Sequence, residues 1–130
     1  MVEKITIEQF KELLPSICDS ETAPNSKDWT PENPLWGHCA VVSLVAQNLF
    51  GGELLYASLK DTEFTAGRSH YWNRLPDGRE EDFTKEQFGD HYPKIIKAKV
   101  RLRSCILSHP RILNCYDILT FRLVQILQAE

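Results

Sequence analysis

The chain has 130 residues, with 15 Lys and Arg against 18 Asp and Glu, for a net charge of −3. That length suits a single domain, residues 1–130, whose core needs no disulfide or metal staple, and the charge leaves no electrostatic footprint for nucleic acid. A hydrophobic share of 42% and a charged share of 25% are those of a globular protein, and no apolar run approaches a membrane span.

Residues 1–14 carry charges throughout and have no apolar centre, unlike a signal peptide. The four cysteines, Cys18, Cys39, Cys105 and Cys115, form no CxxC pair. Reduced thiols and a cytoplasmic location are therefore expected. Thr6-Ile7-Glu8-Gln9 reads as a capping box, with Thr6 at the N-cap and Gln9 reaching back. The helix after it has Ile7, Phe10, Leu13, Leu14 and Ile17 on one face. Residues 18–35 contain Pro24, Pro31 and Pro34 and read as a long loop. Loops of that length are functional or disordered more often than incidental. Trp29 and Trp36 bracket its second half, either as a cleft wall or as cover for the core edge.

Residues 36–52 dominate the pattern. From Ala40 to Phe50 almost every side chain is apolar or small. A helix apolar around most of its circumference belongs inside a domain. It should begin near His38 or Cys39 and stop at Gly51-Gly52, which suit the left-handed end of a helix. Residues 53–60 then read as a strand, and residues 61–67 as a turn.

Ser69-His70-Tyr71-Trp72-Asn73-Arg74-Leu75-Pro76-Asp77-Gly78-Arg79-Glu80-Glu81-Asp82 reads as a hairpin. Pro76-Asp77-Gly78 fits a type I turn closed by a left-handed glycine. Leu75 then pairs with Arg79, Arg74 with Glu80 and Trp72 with Asp82. His70 falls on the Asp82 face, one diagonal step away and within imidazole–carboxylate reach. A slip of one residue would separate them. Thr84-Lys85-Glu86-Gln87 offers a second capping box and a short helical turn. Residues 89–93 read as a loop and residues 97–103 as a strand with alternating basic and apolar residues. That basic run (Lys94, Lys97, Lys99, Arg101, Arg103) fits an exposed edge better than a binding stripe. A short helix over residues 104–109 and a last helix over 111–128, with Pro110 in its first turn, complete the α+β pattern.

Cys39 at a helix start, His70 on one strand and Asp82 beside the next are the parts of a nucleophilic triad. Unpaired N–H groups and the helix dipole favour a thiolate at the first turn. A thiolate can attack an acyl carbon. An imidazole exchanges the proton with the leaving group, and a carboxylate fixes its tautomer. The Cys39 N–H would be a natural oxyanion donor, and His38 a second, side-chain donor. Trp36, Trp72 and Asn73 are expected around the same site. The plain alternative is that Cys39 is a small buried hydrophobe.

Pro31-Glu32-Asn33-Pro34-Leu35-Trp36-Gly37-His38-Cys39-Ala40, Ser69 through Gly78, and Asp82-Phe83-Thr84 resemble the small bacterial YunG-like family. The likeness covers residues 28–88 well and the terminal helices loosely. The pattern His-x-Trp-Asn, Asp-Gly, Asp-x-Thr also resembles transglutaminase-like and other papain-like proteins. That likeness implies a central Cys-bearing helix on a small antiparallel sheet, with Cys39, His70 and Asp82 catalytic. It leads one to expect glutamine just before the cysteine, where this chain has His38. The strands are shorter than in larger transglutaminase cores, leaving little material for a peptide cleft. The YunG-like resemblance brings no substrate with it.

The expected activity is thiol-mediated hydrolysis or acyl transfer on a small-molecule or peptide acyl substrate, without cofactor, metal, nucleic acid or membrane. The oligomeric state is left open. The alternative is a catalytically inactive triad fold that binds a partner through the tryptophan-lined loop. Cys105, His109 and Cys115 lie close enough in sequence to suggest a metal site, but their spacing matches no zinc framework. Cys18, Cys105 and Cys115 are expected in or near the core, and His91 and His109 at exposed or capping positions.

Overall fold

The computed structural model describes residues 5–60, 62, 69–95 and 97–129. The turn expected over residues 61–67 lies outside them, apart from Thr62. The described elements are helices α1 (Ile7–Ile17), α2 (Cys39–Phe50), α3 (Arg103–Leu107) and α4 (Pro110–Gln128), and strands β1 (Glu53–Ser58), β2 (Ser69–Arg74), β3 (Glu80–Glu81) and β4 (Lys99–Arg101). A 3-10 turn, Lys85–Phe88, follows β3. The architecture is mixed α+β with a small antiparallel sheet.

Helix α1 starts at the expected capping box, Thr6 and Gln9 each bonding the other's backbone N–H. Its Phe10, Leu14 and Ile17 are buried against Val41, Val42, Val45 and Ala46 of α2 and against Leu119, Leu123 and Leu127 of α4. The opposite side of α2, through Ala40 and Leu44, meets Leu54 of β1, Tyr71 of β2 and Ile106 of α3. Helix α2 is thus enclosed between a helical layer and the sheet, which is why residues 40–46 can all be buried. The helix stops where the chain passes tightly beneath β2. A Cβ on Gly52 (φ 84°) would collide with the Arg74 carbonyl oxygen, so no other residue fits there.

The sheet runs β3-β2-β1-β4. In β1–β2, Ala57 faces His70 and Leu55 faces Trp72. The hairpin takes the register its turn dictates. Arg74 is opposite Glu80, the Leu75 N–H donates to the Arg79 carbonyl at 2.7 Å, and Gly78 sits at φ 92°. Its side-chain pairing differs from expectation. Arg74 pairs with Glu53 at 3.0 Å, while Glu80 accepts from Trp72 Nε1 at 2.8 Å. Glu81, on the other face, pairs with Lys11 of α1.

Phe83, directly after Asp82, completes an aromatic triangle with Phe10 and Phe50, with ring centroids 5.2–5.9 Å apart. Each such pair adds about 0.5–1.5 kcal/mol beyond area burial. The expected capping box at Thr84 does not form. The Thr84 hydroxyl instead accepts from Gln87 Nε2 at 2.8 Å, and it faces Asp82. Cys18 and Cys115 are buried as expected, but Cys105 is exposed on the short α3, correcting its placement in the core. Both expected elements near there are shorter: the strand is Lys99–Arg101, within the expected span, and the helix is Arg103–Leu107, starting one residue earlier. Among the described residues no helix is long and apolar enough to cross a membrane.

Candidate functional site

Cys39 opens α2, half-buried, at the end of a turn held from outside the helix. The Trp36 N–H donates to Asn33 and the His38 N–H to Leu35, each at 3.1 Å. Gln87, from the 3-10 turn, braces the same piece. Its side-chain oxygen accepts from the Gly37 N–H at 3.2 Å and its carbonyl from Asn33 Nδ2 at 2.9 Å. His38 occupies the N-cap but gives the helix no side-chain hydrogen bond. N–H groups of the first turn, Cys39's among them, are therefore not capped by it.

His70 is fully buried on β2, on the sheet face that carries Trp72. Its ring lies between Trp72, stacked at 5.6 Å, and Phe88, edge-on at 4.9 Å. Nε2 donates to Asp82 Oδ2 at 2.6 Å. Nδ1 is buried and makes no regular hydrogen bond. The Cys39 side chain lines the same cavity wall as the ring and acts on it. Burial pushes the imidazolium down, but the bond to Asp82, then hydrogen-bonding and charge from Cys39, outweigh it and raise the pKa to about 9. These partners therefore favour the charged form of the ring.

Asp82 stands just past β3, its side chain 11% exposed. All its acceptor capacity is engaged. Besides His70, Oδ2 accepts from Tyr92 Oη at 2.6 Å. Oδ1 accepts from the Thr84 N–H at 3.2 Å and faces the Thr84 hydroxyl at 3.5 Å. Burial, then the bond to Asp82, hold the Tyr92 phenol well above its ordinary range, so it stays a donor.

Cys39 and His70 share the wall of a cavity of about 610 Å³, with Trp36, Tyr71, Phe88 and Arg111 also lining it. The size is that of a small-molecule site. A separate groove of about 900 Å³ reaches Asp82 and Tyr92 from the other side, along Glu80, Glu81 and Lys85. The groove is the larger, but the thiol and imidazole open on the smaller cavity.

Cys39, His70 and Asp82 thus come together, with Trp36 at the cavity wall and Trp72 against the imidazole. Two expected neighbours do not join them. His38 is fully buried with both ring nitrogens committed elsewhere. Nδ1 donates to the Trp36 carbonyl at 2.9 Å, and Nε2 is hydrogen-bonded to the Thr22 hydroxyl at 2.6 Å. Burial lowers its pKa despite weaker backbone hydrogen bonds that raise it, leaving a neutral ring. It is a structural residue and has no N–H left for an oxyanion, correcting its expected role as a donor. Asn73 points the other way, Nδ2 donating to the Ser43 carbonyl of α2 at 3.0 Å. It ties helix to sheet rather than facing the cavity.

Sequence reading missed Thr22, Gln87, Phe88 and Tyr92. The aromatic residues Phe83, Phe88 and Tyr92 set close together around Gln87 were a signal for the last three, and nothing in the sequence pointed to Thr22. Cys105, His109 and Cys115 do not converge, and among the described residues no group of three or more His, Cys, Asp or Glu is placed to hold a metal ion.

No solved structure matches the chain. The "Uncharacterized protein YunG" of Bacillus subtilis (strain 168) is 36% identical over 64 residues, 49% of this chain and 50% of the relative. The alignment thus spans about half the length of that relative. It is shorter than the match to the family model described as YunG protein, which covers residues 6–128 and therefore every described element. The chain belongs to the YunG protein family.

Proposed function

We propose that Cys39, His70 and Asp82 form a thiol triad, on a papain-like or transglutaminase-like core, for hydrolysis or acyl transfer at an amide or related acyl group. The observation that carries this reading is geometric: a fully buried imidazole bonded to a carboxylate at 2.6 Å, on the wall of a cavity it shares with the Cys39 thiol. A structural histidine in the same fold, His38, is bonded to a carbonyl and a hydroxyl instead.

The chemistry follows from the partners. The thiolate of Cys39 attacks the acyl carbon, and the C=O electron pair moves onto oxygen. The N–H groups at the start of α2 supply donors for that oxyanion. His70 gives its Nδ1 proton to the leaving group as the carbon–leaving-group bond breaks, producing a thioester and a neutral imidazole. Water or an amine then adds, loses a proton to Nδ1 and expels the thiolate, restoring the ion pair. Asp82 holds Nε2–H throughout and so keeps Nδ1 on the cavity side. Trp36, Tyr71 and Phe88 favour an acyl group with flat or apolar surface.

A reactive acyl ester such as p-nitrophenyl acetate tests the reading. Intact-mass measurement should find an acetyl adduct that maps to Cys39, forms slowly in His70→Ala and is absent in Cys39→Ala. Acetylation spread over surface lysines, unchanged by either substitution, would leave an inactive fold that binds a partner as the better reading.

A further inference from the structure

We infer that Tyr92 is a positioning residue for the His70–Asp82 pair: its hydroxyl binds the carboxylate oxygen that holds the imidazole and limits the negative charge the imidazole receives. The inference rests on the triad reading above and adds a residue to it.

The geometry is specific. Tyr92 Oη and His70 Nε2 both lie 2.6 Å from Asp82 Oδ2. Two donors on one oxygen compete for the same electron density, so each weakens the other's hold. Oδ1 is occupied separately by Thr84. The carboxylate therefore keeps its orientation if the phenol is lost, while the charge available to His70 changes. Tyr92 also stands where Asp82 meets the 900 Å³ groove, which both residues line. Its ring packs edge-on against Phe88 at 5.5 Å and His70 at 6.2 Å, closing the aromatic box from that side.

The other charged groups facing this cluster come from three elements. Cys39 approaches from α2. Glu80 of β3 acts on Tyr92 by charge, while its Oε1 accepts from Trp72. Lys85 of the 3-10 turn places Nζ 5.9 Å from the Tyr92 ring centroid. None of these is bonded to Asp82 Oδ2 in the way the phenol is, so removing the phenol hydroxyl isolates one interaction.

The test is an NMR titration of the His70 ring in the full chain, in native protein and in Tyr92→Phe. Tyr92 is 41% exposed and Phe preserves its ring packing. Without the hydroxyl, the His70 midpoint should rise by about half a unit to one unit, a roughly three- to tenfold gain in proton affinity. The alkaline limb of Cys39 acetylation should move up with it. In an Asp82→Asn background the same substitution should shift nothing, because the effect passes through the carboxylate. The buried His38 ring, bonded to Thr22 and Trp36, reports that the fold is intact. If Tyr92→Phe loses that signal, Tyr92→Leu removes the hydroxyl equally and takes its place. An unchanged or lowered midpoint in the folded variant, or an equal shift in the Asp82→Asn background, overturns the role of Tyr92 and leaves the triad standing. A native His70 that titrates at the ordinary histidine value overturns the triad reading itself.

Discussion

Two histidines in this chain are completely buried, and their pKa values shift in opposite directions. His38 lies between a carbonyl and a hydroxyl, and burial wins: its pKa is lowered. His70 lies between a carboxylate and a thiol, and the partners win: its pKa is raised to about 9. Neutral dipoles satisfy an imidazole without charging it. A buried anion makes the charged form the more stable one. The same side chain therefore has its pKa pushed down at one place and up at another, and its neighbours alone make the difference.

The sharpest way to break this contrast is to remove each ring in turn. His70→Ala should slow acetylation of Cys39 by about a hundredfold or more, the range expected for loss of a general acid–base group. His38→Ala should leave that chemistry nearly intact in the folded fraction. It should cost about 2–4 kcal/mol in urea unfolding, from the void and the stranded Thr22 and Trp36 groups. Equal effects on reactivity would erase the distinction.

Asp82→Asn tests the cause of the difference. With the carboxylate gone, only Cys39 still opposes burial, and the His70 pKa should fall towards that of His38. Each unit of lost pKa weakens the imidazolium tenfold. Acetylation at pH 7 should fall about ten- to a hundredfold, with the far-ultraviolet dichroism unchanged.

Stability against pH separates the two rings without a substrate. The folded His70 value lies above its ordinary 6.5, so its contribution is complete below pH 6.5 and is lost as pH rises through about 9. His38 lies below its ordinary 6.5, so its contribution is complete above that pH and declines as pH falls beneath it. The melting temperature should therefore peak near neutrality. His70→Gln should flatten the alkaline decline and His38→Gln reduce the acid one. The smallest change belongs to Thr22→Val, which removes a hydroxyl partner of His38. It should cost about 1 kcal/mol and leave Cys39 acetylation as it was.

Much of this site was legible in the sequence. Local rules fix the parts that carry it: a Pro-Asp-Gly turn sets the register that brings His70 to Asp82, and an apolar run ended by glycines places Cys39 at a helix start. Ring direction was not legible. His38 adjoins Cys39 in the chain, yet its ring turns to Thr22, sixteen residues back, where tertiary packing supplies both partners. Glu80 sits opposite Arg74, but each takes a different partner, because Trp72 Nε1 needs an acceptor and Glu53 is equally near Arg74. Tyr92 and Gln87 come from irregular backbone, where no periodicity tells which way a side chain points.

Alkylation of Cys39 measured against Cys105 is the most direct test, since the exposed Cys105 serves as an internal standard in the same molecule. With iodoacetamide at pH 7, peptide mapping should show Cys39 modified faster than Cys105 in the native chain, and this advantage should disappear in His70→Ala while Cys105 is unaffected. Equal rates at the two cysteines, or a Cys39 rate indifferent to the loss of His70, would contradict the account.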